Sequence, residues 1–294
     1  MGQRRVPLGR VTPAPSLVIL AAGRARRYGG CKPLAPVGTH GEAVIDLVAS
    51  DAVAAGFGAI VLVLGPSTGA AIRYHVEHTW PGVVDVRFAT QLAPRGTVDA
   101  VLSASDHVGD APYGVGNADD IYGHAACSQL VAHLRTRSDL NALVGYRLCD
   151  AVIGSSPVTR GICRVADDGA LLGVDERRQV TATPEGGFVA GDGREPAILP
   201  PDARVSMNLW GFTPAFHKTL RAAMDAATDA SEESEVLLPE VVADSLATSS
   251  FTVLPAVGRC IGVTHPDDLS LVQAELNRQV AAGERPAKLW ASLH

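Results

Sequence analysis

The chain has few cysteines and few aromatic residues, and it lacks long apolar runs and an excess of positive charge. Its five cysteines form no C-x-x-C pair and have no histidine at zinc-site spacing, which argues against a zinc knuckle or a disulfide framework and favours a cytoplasmic protein with reduced thiols. No stretch approaches the roughly 20 apolar residues of a membrane span. A net charge of −6 argues against general attraction to nucleic acid or acidic lipid. We therefore expect neither a nucleic-acid nor a membrane partner.

Buried strands and amphipathic helices alternate along most of the chain. The runs "SLVILAA" (16–22) and "AIVLVLG" (59–65) are apolar throughout, which is typical of parallel strands covered on both faces. Between them, apolar residues recur at helical spacing up to Gly56. This alternation predicts a three-layer α/β/α sandwich, Rossmann-like, with a mostly parallel, mixed central sheet.

The domain organisation follows from changes in composition. Residues 1–15 mix Arg, Pro and Gly without periodicity and are expected to form a disordered tail. We expect one large domain over residues 16–276 and a C-terminal extension over 277–294. Within the domain, residues 158–200 consist of short β-like pieces separated by Asp-Gly and Gly-Gly turns, which predicts an inserted β-ribbon region.

Cationic residues cluster directly after the first predicted strand. In "LVILAAGRARRYGGCKPLAPVG" (17–38), Gly23 permits close approach of the backbone to a ligand, and Arg27 and Lys32 supply positive charge. Lys32 follows Cys31 and not the glycine of a P-loop, and the dinucleotide-binding glycine pattern is also absent. Because loops after parallel strands and helix N-termini bind anions, we expect this loop to hold a polyphosphate.

Five segments in order resemble the signature motifs of the sugar-phosphate nucleotidyltransferases, the nucleotide-sugar pyrophosphorylase-like NTP transferases. The segments are "LAAGRARRYGGCKPL", "QLAPRGTVDAVLSA", "NADDIYG", "VDERR" and "SMNLWGF". The resemblance extends from about Leu17 to about Gln273. It implies the nucleotide-diphospho-sugar transferase fold and a Mg²⁺-dependent reaction between a nucleoside triphosphate and a sugar 1-phosphate that gives an NDP-sugar and pyrophosphate.

The resemblance also implies roles for individual residues. Arg27, Lys32 and Asp119 would be catalytic, with Lys32 near the attacked α-phosphate and Asp119 holding the magnesium ion. The implied nucleotide-binding residues are Ala22, Gly23, Gln91, Gly96 and Thr97. The implied acceptor-binding residues are Gly145, Glu176, Arg177 and Asn208. A homo-oligomer remains possible on this interpretation.

Three positions depart from the pattern of the family. Ala25 replaces the usual second glycine of the anion loop. Ile261 stands where many relatives have a second metal-binding carboxylate. Asp99 follows Gly96 and Thr97 where small residues or histidine are commoner, and the sequence suggests no role for it.

Three alternatives stay open at this level. A cytidylyltransferase acting on a non-sugar phosphate or phosphonate would keep the triphosphate loop and change the acceptor pocket. A glycosyltransferase of related fold would need an aspartate-based metal site but no triphosphate loop. A non-catalytic nucleotide-binding protein would bind a triphosphate without turnover. The nucleobase and the acceptor are not specified by the sequence.

Overall fold

The computed structural model describes residues 13–23, 30–230, 235–263 and 268–293. The strands are β1 (Ser16–Ala21), β2 (Ala59–Leu64), β3 (Val86–Thr90), β4 (Tyr113–Asn117), β5 (Asp120–Ile121), β6 (Asn141–Arg147), β7 (Val158–Val165), β8 (Leu171–Ala182), β9 (Phe188–Ala190), β10 (Ile198–Leu199), β11 (Arg204–Phe212), β12 (Phe251–Pro255) and β13 (Ile261–Gly262). The helices are α1 (Val44–Ala55), α2 (Gly69–Thr79), α3 (Thr97–Ser103), α4 (Ser105–Val108), α5 (His124–Thr136), α6 (Leu148–Ala151), α7 (Pro214–Ala230), α8 (Leu238–Ser245) and α9 (Leu269–Ala281).

Four parallel strands form one half of the central sheet, in the order β3-β2-β1-β4. All six residues of β2 are buried, as expected for a strand covered on both faces. The connection from β1 to β2 contains α1, which ends at Gly56 with φ +99°, a left-handed conformation that glycine adopts without steric cost. The predicted βαβ opening is therefore confirmed.

The other half of the sheet is mixed. β11 runs antiparallel to both β4 and β6, and β6 pairs in parallel with β12. The pairing of β11 shifts register between Ser206 and Trp210. On one edge of β11, the residues before this shift pair with β7 and those after it pair with β4. The predicted mostly parallel, mixed sheet is confirmed.

Residues 158–200 contain four strands that continue the same sheet. β7, β8, β9 and β10 pair antiparallel in sequence order, and β7 attaches to the first part of β11. The segment therefore extends the sheet at the edge where β11 changes partner. At that position, one side of the ribbon faces the end of the parallel half of the sheet.

Two hydrophobic clusters cover the two faces of the sheet, because side chains of a strand alternate between faces. Leu17 and Ile19 of β1 pack into one cluster with residues of α1, α5 and α9. Val18 packs into the other with residues of α3, α7 and α8. These are the three layers expected from the sequence.

The end of the described chain packs against α1. Arg285 donates two hydrogen bonds of 2.8 Å to the buried carboxylate of Asp51, and the backbone N–H of Trp290 donates to Ser50 Oγ over 3.0 Å.

Within the described parts of the chain, no helix is both long and apolar enough to cross a membrane.

Candidate active site

Two adjoining cavities lie at the carboxyl ends of β1 and β4. We call them the base-side cavity, of about 550 Å³, which contains Gly23 and Gln91, and the acceptor-side cavity, of about 690 Å³, which contains Glu176 and Arg178. Four residues line both: Asn117, Asp119, Asn208 and Leu237. A ligand that spans this shared wall would contact both cavities at once.

The base-side cavity brings together every predicted nucleotide-binding residue of the described chain. Its walls include Ala22, Gly23, Gln91, Gly96 and Thr97. These residues follow β1, follow β3 or begin α3, and in the sheet β1 and β3 are separated by β2 alone. The predicted catalytic Arg27 lies outside the described residues.

Gly96 and Thr97 also hold the segment that leads into α8. Gly96 has φ +91°, and a side-chain carbon at this position would clash with the backbone of Val236. Thr97 Oγ1 accepts a hydrogen bond from the N–H of Leu238 over 2.7 Å, and the N–H of Val98 donates to Val236 O over 3.1 Å. The sequence did not indicate this second role, because the partner segment is about 140 residues away in the chain.

Lys32 and Asp119 meet where the two cavities join. Lys32 begins a short 3-10 turn, Lys32–Leu34, and Asp119 lies in the turn between β4 and β5. Their side chains form an ion pair with an Nζ to Oδ2 distance of 2.5 Å. Both line the acceptor-side cavity, and Asp119 also lines the base-side cavity. Two of the predicted catalytic residues are therefore in contact.

A second carboxylate, Asp120, lies beside Asp119. Burial and the negative charge of Asp119 raise the pKa of Asp120 to about 6, while the hydrogen bond from Asn117 Nδ2 opposes this shift. Ile261 is buried and pairs with Ile121, so it provides no ligand oxygen. In the described chain, no group of three or more His, Cys, Asp or Glu residues is arranged to hold a metal ion.

The donor set at this point nevertheless suits magnesium. Two adjacent carboxylates that repel one another supply hard oxygen ligands, and phosphate oxygens of a bound substrate would complete the coordination. Among the described residues, Asp119 and Asp120 are those that could hold Mg²⁺.

The acceptor-side cavity has a strongly charged wall made by β7, β8 and the loop after β9. Glu176, Arg178, Arg160 and Arg194 all line it. Arg178 Nε donates to Glu176 Oε1 over 2.9 Å, whereas Arg194 Nη1 donates to the backbone oxygen of Glu176 over 3.0 Å. Oppositely charged groups at one wall suit a ligand that combines hydroxyl groups with an anionic group.

Asn208 lies at the register shift of β11 and lines both cavities. Its φ of +59° is left-handed, a conformation that asparagine tolerates better than most residues. Its Oδ1 accepts a hydrogen bond from Trp210 Nε1 over 3.2 Å, which leaves the amide hydrogens for another partner. The substrate-binding role of Asn208 stays a prediction.

Arg177 differs from the expectation that it binds the acceptor. Its side chain is only 5% exposed and forms a bidentate ion pair with Asp192, with an Nε to Oδ2 distance of 2.8 Å and an Nη2 to Oδ1 distance of 2.9 Å. It also donates to the backbone oxygens of Arg194 and Pro196. Because successive side chains of a strand point to opposite faces, Glu176 and Arg178 reach the cavity and Arg177 does not.

Gly145 also lies away from both cavities. It is a residue of β6 that pairs with Ser206 and Pro255, and an added side-chain carbon would clash with Val253. The structure therefore gives Gly145 a packing role between neighbouring strands.

Arg160 was not identified from the sequence. Its guanidinium donates to the backbone oxygens of Ala151 and Thr159, and within the described chain no carboxylate lies within ion-pair distance of it. Burial lowers its pKa, an effect that the negative charge of Asp120 opposes. Arg160 is opposite Arg177 in the pairing of β7 with β8, and nothing in the local sequence marks it as lining the cavity.

Comparisons with known proteins define the class. The model of the MobA-like NTP transferase domain matches residues 17–238. A crystal structure of UDP-glucose pyrophosphorylase complexed with UDP-glucose superposes with a TM-score of 0.63 at 14% identity, covering 90% of this chain and 99% of that one. No curated protein matches the chain.

The protein is therefore a nucleotidyltransferase of the α/β nucleotide-diphospho-sugar transferase fold. Because the family model covers more than half of its length, the chain belongs to the family of MobA-like NTP transferase domains. The resemblance inferred from the five sequence motifs is confirmed at this level.

Proposed function

We propose that the protein couples a nucleoside triphosphate to a sugar 1-phosphate and releases pyrophosphate. The observation that supports this most directly is the contact between Lys32 and Asp119 at the junction of the two cavities. The base-side cavity would hold the nucleoside and the acceptor-side cavity the sugar phosphate. The reacting phosphates would then lie against the shared wall.

The chemistry is an in-line displacement at the α-phosphorus. An oxygen of the acceptor phosphate forms a bond to the α-phosphorus, the bond from that phosphorus to the bridging oxygen breaks, and pyrophosphate leaves with the bonding electrons. Because the attacking phosphate is already an anion near neutral pH, no general base is required. Catalysis then depends on positioning and charge neutralisation.

Different residues would position the substrates and neutralise the phosphate charge. Lys32 has three N–H donors and, among the described residues, gives one to Asp119, so two remain for phosphate oxygens. Glu176 would accept hydrogen bonds from acceptor hydroxyls, and Asn208 would donate to the ligand at the shared wall. Mg²⁺ held by Asp119 and Asp120 would supply further neutralisation of phosphate charge.

Arg160, Arg178 and Arg194 replace Arg177 in the proposed contact with the acceptor phosphate. All three line the acceptor-side cavity, whereas the guanidinium of Arg177 is buried and makes four hydrogen bonds to Asp192 and to backbone oxygens. Guanidinium groups form strong charge-assisted hydrogen bonds with phosphate.

The test is pyrophosphate release with Mg²⁺ and each of UTP, dTTP, CTP, ATP and GTP against hexose 1-phosphates and non-sugar phosphates. We expect release with one preferred base, dependent on the acceptor, and loss of activity in Lys32→Ala and Asp119→Ala. Lys218→Ala, at an exposed position on α7, is the matched control and should be active. Absence of release in every combination, or activity that survives both substitutions, would contradict the proposal.

A non-sugar phosphate or phosphonate acceptor is tested in the same assay. If pyrophosphate is released with such an acceptor and with none of the hexose 1-phosphates, the proposed reaction stands and the acceptor is a non-sugar compound.

A further inference from the structure

The side-chain amide of Gln91 is held in one orientation by two hydrogen-bond acceptors. Gln91 is buried at the wall of the base-side cavity, and its Nε2 donates to Gly96 O and to Asp99 Oδ2, each over 2.9 Å. A carbonyl and a carboxylate oxygen accept hydrogen bonds and cannot donate them. Turning the amide by 180° would place Gln91 Oε1 against both oxygens, which is strongly unfavourable.

Asp99 is itself held in a charged, fixed position. Arg95, in the loop just before α3, donates from Nη2 to Asp99 Oδ1 over 2.7 Å. Arginine donates hydrogen bonds and accepts none. Arg95 therefore occupies one oxygen of Asp99 and directs the other toward Gln91.

Both amide hydrogens of Gln91 are thus used within the protein. Within the described chain, no group donates a hydrogen bond to Gln91 Oε1. The group that Gln91 offers to a ligand in the cavity is therefore an acceptor only. A glutamine without such restraint offers a donor or an acceptor according to its orientation.

We propose that Asp99 is a specificity-determining positioning residue, which fixes Gln91 so that it selects nucleobases presenting an N–H group to it. A base that presents a ring nitrogen or carbonyl oxygen at the same point meets the Gln91 oxygen and is rejected. A site whose buried polar group finds no partner on the wrong ligand discriminates strongly. This role depends on a nucleobase lying in the base-side cavity, which is part of the proposed function.

Replacing Asp99 with asparagine should remove this restraint. Arg95 would engage the only oxygen of the new side-chain amide and turn its NH₂ group toward Gln91. Gly96 O still favours the original orientation of Gln91 and the new NH₂ group favours the flipped one, so neither orientation satisfies both neighbours. Asp99→Asn therefore keeps the size and the contact with Arg95 and lets Gln91 offer either a donor or an acceptor to the base.

The test is the dissociation constant of each of UTP, dTTP, CTP, ATP and GTP, measured by calorimetry with wild type, Asp99→Asn and Asp225→Asn. Asp225→Asn removes an equal charge from an exposed residue of α7, in the surface pocket that also contains Arg95 and Asp99. We expect the ratio between the weakest and tightest triphosphates to fall about tenfold or more in Asp99→Asn, as loss of one discriminating hydrogen bond implies. The ratio should be unchanged in Asp225→Asn.

Each other outcome overturns the proposal. If wild type discriminates and Asp99→Asn discriminates equally, Asp99 has no role in selection while the proposed function stands. If wild type binds none of the triphosphates, the proposed function and the role of Asp99 fail together.

A measurement on the wild type avoids dependence on the folding of Asp99→Asn. Both side-chain amide hydrogens of Gln91 should exchange slowly with solvent in ¹⁵N NMR spectra, with and without the preferred triphosphate. Rapid exchange of either hydrogen without the nucleotide would contradict the restraint.

Discussion

The base-side cavity lies against parallel strands and the start of α3, whereas the acceptor-side cavity lies against an antiparallel ribbon. Beside the first cavity lies the ion pair between Arg95 and Asp99, and all the predicted nucleotide-binding residues line this cavity. The second has arginines and acids along its wall, and one of the predicted residues, Arg177, turns away from it. Loops at strand ends are positioned by the whole sheet, but a side chain within a ribbon changes face at every residue.

The largest effect should come from the residue at the junction. Lys32→Met should lower kcat/KM by about 10²–10³-fold, because it removes positive charge aimed at the reacting phosphates. Lys218→Met serves as the control at an exposed lysine. Steady-state kinetics with the preferred substrates measures this effect, and a loss confined to the KM of one substrate would place Lys32 in one cavity only.

The second-largest effect is expected for Gly96→Ala, which should disturb the base-side cavity. The new carbon would meet the backbone of Val236 in a conformation with φ +91°, and such strain costs about 1–3 kcal/mol. We expect a lower Tm and a higher KM for the triphosphate, with a smaller change for the acceptor. Gly82→Ala, at a glycine with no atom near the added carbon, should match wild type in both measurements. Equal behaviour of the two variants would contradict the close packing described here.

Arg177→Met and Arg178→Met form a matched pair on neighbouring residues of β8. Arg178→Met should raise the KM for the acceptor about tenfold through loss of a charge-assisted hydrogen bond, with an unchanged Tm. Arg177→Met should lower the Tm instead, because it removes the cation that pairs with the buried carboxylate of Asp192. The reverse assignment of effects would show that the strand presents its other face to the acceptor.

A small effect of pH should appear away from both cavities. Burial, helped by the charge of Arg221 and opposed by that of Asp110, lowers the pKa of His217, whose ring nitrogens contact Ser105 Oγ and Tyr113 OH. A base whose pKa is lower in the folded state stabilises the fold above its unfolded pKa of about 6.5, and this contribution is lost as the pH falls below that value. The Tm of wild type should therefore fall a few degrees more between pH 7.5 and 5.5 than the Tm of His217→Gln. Parallel pH curves would contradict this role.

The parallel half of the fold was predictable from the sequence because its buried strands are apolar along their whole length. β2 and the helix that ends at Gly56 follow directly from that pattern. Gly23, Gln91 and Asp119 follow strand ends, so their meeting at one edge of the sheet could be expected.

The remaining features depend on contacts between distant segments. The face of Arg177 depends on the register of β8, and the cavity position of Arg160 depends on how β7 joins β11. The restraint on Gln91 requires the orientation of Arg95 before α3, of Asp99 on α3 and of Gln91 after a strand end. Local residue patterns carry no information on these three arrangements.

The central claim, attack at the α-phosphorus between the two cavities, is tested most directly by the fate of two labels. Matched reactions contain the preferred triphosphate labelled at either the α- or the γ-phosphorus, with its acceptor and Mg²⁺. The account predicts the α-label in the coupled product and the γ-label in pyrophosphate, with neither transfer in Lys32→Met. A γ-label in the coupled product, or release of labelled orthophosphate alone, would contradict it.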